Sequence, residues 1–112
     1  MDEEPPPPRV TVNLICEVVA AKAGVTVEEM FSRSHRRVVR DARQIAMYLA
    51  ATMTNLVYYE ISRRMGRWEP TTALFYRDKA AQRIAQEPAY RAEVKALKAE
   101  ILARAEKRRS AP

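Results

Sequence analysis

Five arginines fall within eleven residues: Arg33, Arg36, Arg37, Arg40 and Arg43. A guanidinium keeps its charge in a protein and offers a planar fork of donors, so several on one rigid face suit the closely spaced phosphates of a duplex. Further along, Glu69 and Pro70 precede Thr71 and Thr72, and Lys79 lies two helical turns beyond them. A carboxylate and hydroxyls in the first turn of a helix can reach base edges in a major groove. The chemistry on offer is recognition rather than bond making. Cys16 and His35 are the sole cysteine and histidine, which leaves no disulfide within the chain, no Cys/His zinc set and no nucleophile–base–orienter set. The expectation is no enzyme activity, no cofactor and no metal.

These groups need rigid elements to hold them, and the hydrophobic spacing predicts helices. Val10, Leu14, Val18 and Ala21 recur at helical intervals, with Gly24 placed to stop the segment. Thr26 to Glu29 has the form of a capping box, which starts a short helix anchored by Met30 and Phe31. A long helix is expected over 38–52, with Val38, Ala42, Ile45, Leu49 and Met53 as its apolar stripe. Arg36, Arg40 and Arg43 fall on another face of it, with Arg33 and Arg37 nearby. Residues 54–85 read as helix, tight turn, helix. Asn55 is the candidate N-cap, Gly66 supplies the turn, and Pro70 suits the first turn of the second helix. Leu74, Ala81 and Ile84 are expected to face inward, with Thr71, Thr72, Phe75, Lys79 and Arg83 outward. After Pro88, Tyr90, Val94, Leu97 and Ile101 mark an amphipathic helix over 89–108.

The fold class expected is therefore all-α: a helical bundle containing a helix-turn-helix, plus an extra C-terminal amphipathic helix. Three segments follow, a flexible proline-rich leader at 1–9, the helix-turn-helix domain at 10–86, and a C-terminal helix with a basic tail at 87–112. The chain of 112 residues has room for one modest core. Its net charge of +6 and pI near 9.8 favour polyanionic partners. No apolar run is long enough to span a membrane, and the first residues lack a secretory pattern, so a cytoplasmic, nucleoid-associated protein is expected. From the residues alone, a generic helical interaction module stays open beside DNA binding. A charged helix face is often only solvated surface.

The run Arg43-Gln44-Ile45-Ala46-Met47-Tyr48-Leu49-Ala50, followed by Met53-Thr54-Asn55-Leu56, resembles the C-terminal DNA-binding domain of DnaA, the bacterial chromosomal replication initiator. The likeness continues through Glu60-Ile61, Met65-Gly66 and Thr71-Thr72, from near Val10 to about Ile84, with the tail after Pro88 outside it. The resemblance implies a bundle in which a long helix precedes a helix-turn-helix. It implies that Arg43 and Gln44 lie at the DNA surface. It also implies that Thr71 and Thr72 open the recognition helix, contacting backbone and thymine methyls, and that Lys79 holds a basic position. The family's Gly-Arg-Asp-His-Thr-Thr stands here as Arg67-Trp68-Glu69-Pro70-Thr71-Thr72. Tryptophan cannot make a bidentate contact to guanine and proline offers no side-chain donor, so the usual target of the family does not carry over. A minor-groove arginine of the family aligns with His35; Arg33, Arg36 or Arg37 can take its place. The sequence holds no Gly-x-x-x-x-Gly-Lys-Ser/Thr pattern, so the initiator's ATPase is not expected, and the chain reads as a stand-alone domain.

The function expected is sequence-preferring binding of double-stranded DNA, in transcription regulation or in regulation of replication initiation. Phosphate contacts are assigned to Arg36, Arg37, Arg40, Arg43 and Lys79. Base readout falls to Glu69, Thr71 and Thr72, with Arg67 and Phe75 as further candidates. The alternative is an adaptor that has lost specific readout and binds a protein through its C-terminal helix. That helix either folds back on its own domain or self-associates through its apolar stripe. Trp68 is read as a lid over the turn or as a groove contact. Cys16 is read as a small core residue, and Lys107, Arg108 and Arg109 as a basic end adding nonspecific affinity.

Overall fold

The computed structural model describes residues 9–66 and 68–110, the side chains of 109 and 110 apart. The proline-rich segment 1–8, Arg67 and the side chain of Arg109 lie outside the described residues. Six helices follow in order: α1 (Val12–Ala23), α2 (Val27–Phe31), α3 (Arg37–Met53), α4 (Tyr58–Arg64), α5 (Pro70–Gln86) and α6 (Pro88–Ser110). The described residues contain no strand. The all-α class is as the periodicity predicts. No helix among them is long and apolar enough to cross a membrane.

α1 begins because the Thr11 hydroxyl accepts from the Leu14 N–H at 3.1 Å, and it ends at Gly24 with φ of 75°. Leu14, Ile15, Cys16, Val18 and Val19 are all buried, so the helix is covered on most sides, by α2, α3 and α6. Val12 and Ala20 extend this buried surface, while the expected stripe member Ala21 faces solvent. Burial pushes the Cys16 thiol from 9.0 up to about 12, which keeps it protonated and unreactive. The capping box of α2 is present: the Thr26 hydroxyl accepts from the Glu29 N–H at 3.0 Å, and the Glu29 carboxylate accepts from the Thr26 N–H at 3.1 Å.

α3 is the central element and packs on α5 and α1 most extensively. Its buried arc is wider than one stripe, taking in Val39, Ala42, Ile45, Ala46, Met47, Leu49 and Ala50, whereas Val38 is exposed. On α5, Ala73 and Ala80 are buried, rather than the expected Leu74 and Ala81, and Tyr76 and Ile84 pack against the core beside them. Small residues suit close packing of facing helices, and alanines supply buried positions on both α3 and α5. The start of α4 also differs from expectation. Its N-cap position is Val57, with no side-chain cap, while Asn55 is exposed. The Thr54 hydroxyl shapes this bend instead, donating to the Ala50 carbonyl at 2.6 Å and accepting from the Leu56 N–H at 3.2 Å.

Pro88 is the first residue of α6 as well as the stop for α5. Tyr90, Val94, Leu97, Ile101 and Ala105 are buried in the same core as α1 and α3. The C-terminal helix therefore folds back, packing on α5 and α1, with Arg108 held by Glu17 at 2.8 Å. Of the two readings of this helix it takes the fold-back one: the stripe that self-association requires is covered from within the chain.

Candidate nucleic-acid interface

α4, α5 and the residues 65–66 and 68–69 between them form the helix-turn-helix. The turn closes through a buried serine: the Ser62 hydroxyl donates to the Glu69 carbonyl at 3.1 Å, and the Ser62 carbonyl accepts from the Trp68 N–H at 3.1 Å. Gly66 adopts φ of 107°, in a space where a Cβ would stand 2.4 Å from the Phe31 carbonyl oxygen. The end of α2 and the turn are thus in direct backbone contact. Pro70 fills the first position of α5, where its missing N–H costs nothing.

Along one side, α3 and α5 leave a cleft of about 700 Å³ lined by His35, Arg37, Arg40, Gln44, Phe75 and Lys79 among others. Four of the sequence-predicted contacts, Arg37, Arg40, Gln44 and Lys79, are brought together here. Asp41 and Glu87 also border it. Asp41 lies 3.8 Å from Arg37, and Glu87 accepts from Arg83 at 3.0 Å, which holds the Glu87 carboxyl below its ordinary range. The Arg37 side chain is still 84% exposed, so its ion pair leaves the guanidinium open to a phosphate. Arg36 pairs with Glu29 at 2.9 Å on the same exposed end of α3.

Arg43 lies elsewhere. It is 1% exposed and points under the helix-turn-helix, not out of it. Its Nε donates to the Met30 carbonyl at 2.8 Å, and Nη2 donates to the carbonyls of Ser32 at 2.9 Å and Ser34 at 3.5 Å. Burial lowers its pKa from the usual guanidinium value, an effect that Tyr76 partly opposes. The phosphate contact expected of Arg43 is therefore corrected to a structural role, since no phosphate can reach a buried group already bonded to main-chain carbonyls. Arg43 ties the end of α2 and the connector after it to α3.

Arg33 performs a related task from the connector. Its guanidinium donates to the Gly66 carbonyl at 3.1 Å and to the Phe31 carbonyl at 3.3 Å. The Trp68 ring receives both cations, with Arg33 Cζ at 4.0 Å and Arg43 Cζ at 4.5 Å from its centroid, and Tyr76 meets it edge-on at 6.5 Å. Each such contact is worth about 0.5–2 kcal/mol, more where water is excluded. Trp68 accordingly packs over the turn, the lid of the two readings. It packs against the core, and its Nε1 is buried with no partner among the described residues.

At the N-terminal end of α5, Glu69 and Thr71 are exposed and Thr72 is half-buried. A second cleft of about 360 Å³ opens on the α4 side of this end, with Tyr59, Arg63, Trp68, Glu69 and Pro70 around it. Sequence reasoning did not mark Arg63 and Arg64. Both pair with Glu60, at 2.8 and 3.3 Å, and hold its carboxyl below the ordinary carboxylate range. The available signal was their place in the last turn of a helix immediately before Gly66, which capping electrostatics alone also explains.

The family model described as the bacterial dnaA protein helix-turn-helix matches residues 12–79. Among curated proteins, the chain is 43% identical over 68 residues to the chromosomal replication initiator protein DnaA of Rhizobium meliloti, covering 61% of this chain and 14% of that protein. It is 36% identical over 86 residues to the namesake from Gloeobacter violaceus, covering 73% and 20%. The corresponding Chloroflexus aurantiacus protein is 30% identical over 93 residues, covering 83% of this chain and 19% of its own length. The chain thus spans a fifth or less of these relatives. A stretch covering 83% of the chain includes part of α6 wherever it begins, so the likeness extends past Pro88, beyond the limit expected from the motifs.

Proposed function

The chain belongs to the family of bacterial DnaA helix-turn-helix domains, and from that premise we propose that it binds double-stranded DNA with sequence preference. The observation that carries this reading is the α3–α5 cleft. Arg37, Arg40, Gln44 and Lys79 line it beside a helix whose N-terminal end bears Glu69, Thr71 and Thr72. In this reading Arg36, Arg37, Arg40 and Lys79 engage phosphates and set the register, while α5 enters the major groove. Glu69 accepts from a cytosine amino group, and the two threonines meet base edges or the adjoining backbone. Arg67, outside the described residues, stays a candidate for base contact by its sequence position alone. Arg33 and Arg43 act as positioning residues, fixing the turn relative to α3 so that the two surfaces present one footprint.

The relatives are named as chromosomal replication initiators. The corresponding proposal here is regulation of replication initiation, or of transcription, by occupancy of DNA sites in the nucleoid.

The roles separate in a binding assay that compares duplexes selected from a random library with unselected duplex. Arg40→Ala weakens both to a similar degree and lowers the log–log salt slope by about 1. Thr72→Ala costs about 1–3 kcal/mol on selected duplex and little on random duplex. Equal losses on the two substrates would remove Thr72 from the readout set.

A further inference from the structure

Phe75 is 54% exposed, one of five large hydrophobic side chains left open on the described surface. It sits on α5 between Thr71 and Lys79, four residues from each, so the three share one face. The same face borders the cleft that holds Arg40 and Gln44, and the Lys79 ammonium stands 5.5 Å from the Phe75 ring centroid. An exposed aromatic ring beside a lysine, on a cleft that also holds Arg37 and Arg40, suits a ligand that combines negative charge with small apolar groups. A DNA major groove has that composition: phosphates along both rims and thymine C5 methyls on its floor. Thr71 and Phe75 are separated by about 6 Å along the helix axis. This is close to two base-pair steps of about 3.4 Å each.

We propose that Phe75 is a specificity-determining residue that reads the C5 methyl group of thymine in the major groove, about two base pairs from the position met by Thr71. The inference rests on the DNA-binding reading above and deepens it. It assigns apolar readout to a residue of the middle of α5, outside the turn where Trp68 and Pro70 replace polar side chains. Lys79 fixes the neighbouring phosphate, and the ring covers the methyl from water.

The test uses the full chain with two alternating duplexes of about 20 base pairs, (dA–dT) and (dA–dU), which differ only in the C5 methyl. Burying one methyl corresponds to about a fourfold change in affinity. Wild-type protein is expected to prefer the dT duplex by about that factor. Phe75→Ala is expected to lose most of that preference, with an unchanged salt slope, and Phe75→Leu to keep more of it. Equal binding of the two duplexes by the wild type overturns the proposal. So does a preference that Phe75→Ala leaves undiminished, which would assign the methyl contact to the threonines alone. If the wild type binds neither duplex at low salt, the DNA-binding reading falls and this inference with it, a result distinct from binding without discrimination. Helical circular dichroism of the variants confirms that the exposed site was changed without loss of fold.

Discussion

Arg43→Met lowers the stability of the domain by about 3–5 kcal/mol, a large part of the 5–15 kcal/mol that domains of this kind possess. Methionine is close enough in length to leave little cavity, so the loss comes from polar groups. The buried Met30 carbonyl would lose a charge-assisted donor and the part-buried Ser32 carbonyl another, at about 1–3 kcal/mol for a group left unsatisfied in the interior and less where water reaches it. Replacing a buried ion pair by apolar residues is often neutral because both partners go. Here the partners are main-chain oxygens and remain. The stacking of Arg43 with Trp68 also disappears. Urea unfolding should show a midpoint shift at constant m-value. A loss below about 1 kcal/mol would mean that water satisfies these carbonyls and that Arg43 is not the tie between α2 and α3.

Gly66→Ala is expected to cost about 3 kcal/mol, from two sources that a companion variant separates. The backbone at φ of 107° disfavours any side chain, and the new Cβ would stand 2.4 Å from the Phe31 carbonyl oxygen. Both the oxygen and the turn belong to main chain, so relief requires α2 and the helix-turn-helix to move apart. Gly24 also has positive φ, at 75°, with nothing within 4 Å of its added Cβ. Gly24→Ala should therefore show only the conformational part, about 1–2 kcal/mol. Differential scanning calorimetry of the two variants checks this, and equal losses would show that the α2–turn contact yields easily. The Gly66 variant should also bind DNA less well at temperatures where it is folded, because Arg33 would lose its anchor on the Gly66 carbonyl.

Features settled within a few residues were legible in the sequence. The Thr26–Glu29 capping box needs only its own spacing, and the α6 stripe needs only a helical period. Features settled by packing were not. A sequence displays the charge of Arg43 but not its accessibility, and α3 is enclosed by neighbours on a wider arc than one stripe suggests. Hydrophobicity ranks Leu74 above Ala73, yet the packing of α5 buries Ala73 and leaves Leu74 half-buried. Asn55 has the intrinsic capping preference, but Thr54 already holds the preceding bend through Ala50 and Leu56.

At the candidate site, Arg37, Arg40, Gln44 and Lys79 were found by type and motif and do share a cleft. The engagement of Trp68 by Arg33 and Arg43 joins residues far apart in the chain, which no local pattern announces. Its consequence is specific to this chain. At the position where the motif would present an arginine, the tryptophan packs against the core and braces the turn, leaving readout to the helix surface beyond it.

Whether the α3–α5 face contacts duplex phosphates is read from the salt dependence of binding to random-sequence duplex. With Arg36, Arg37, Arg40 and Lys79 each neutralising one phosphate, log Kd against log salt between about 50 and 200 mM should be linear, with a slope of magnitude about 3–4. Arg37→Ala, Arg40→Ala and Lys79→Ala combined should reduce that magnitude to about 1. No binding at the low-salt end, or a slope that the triple variant leaves unchanged, would show that this face does not engage the phosphates.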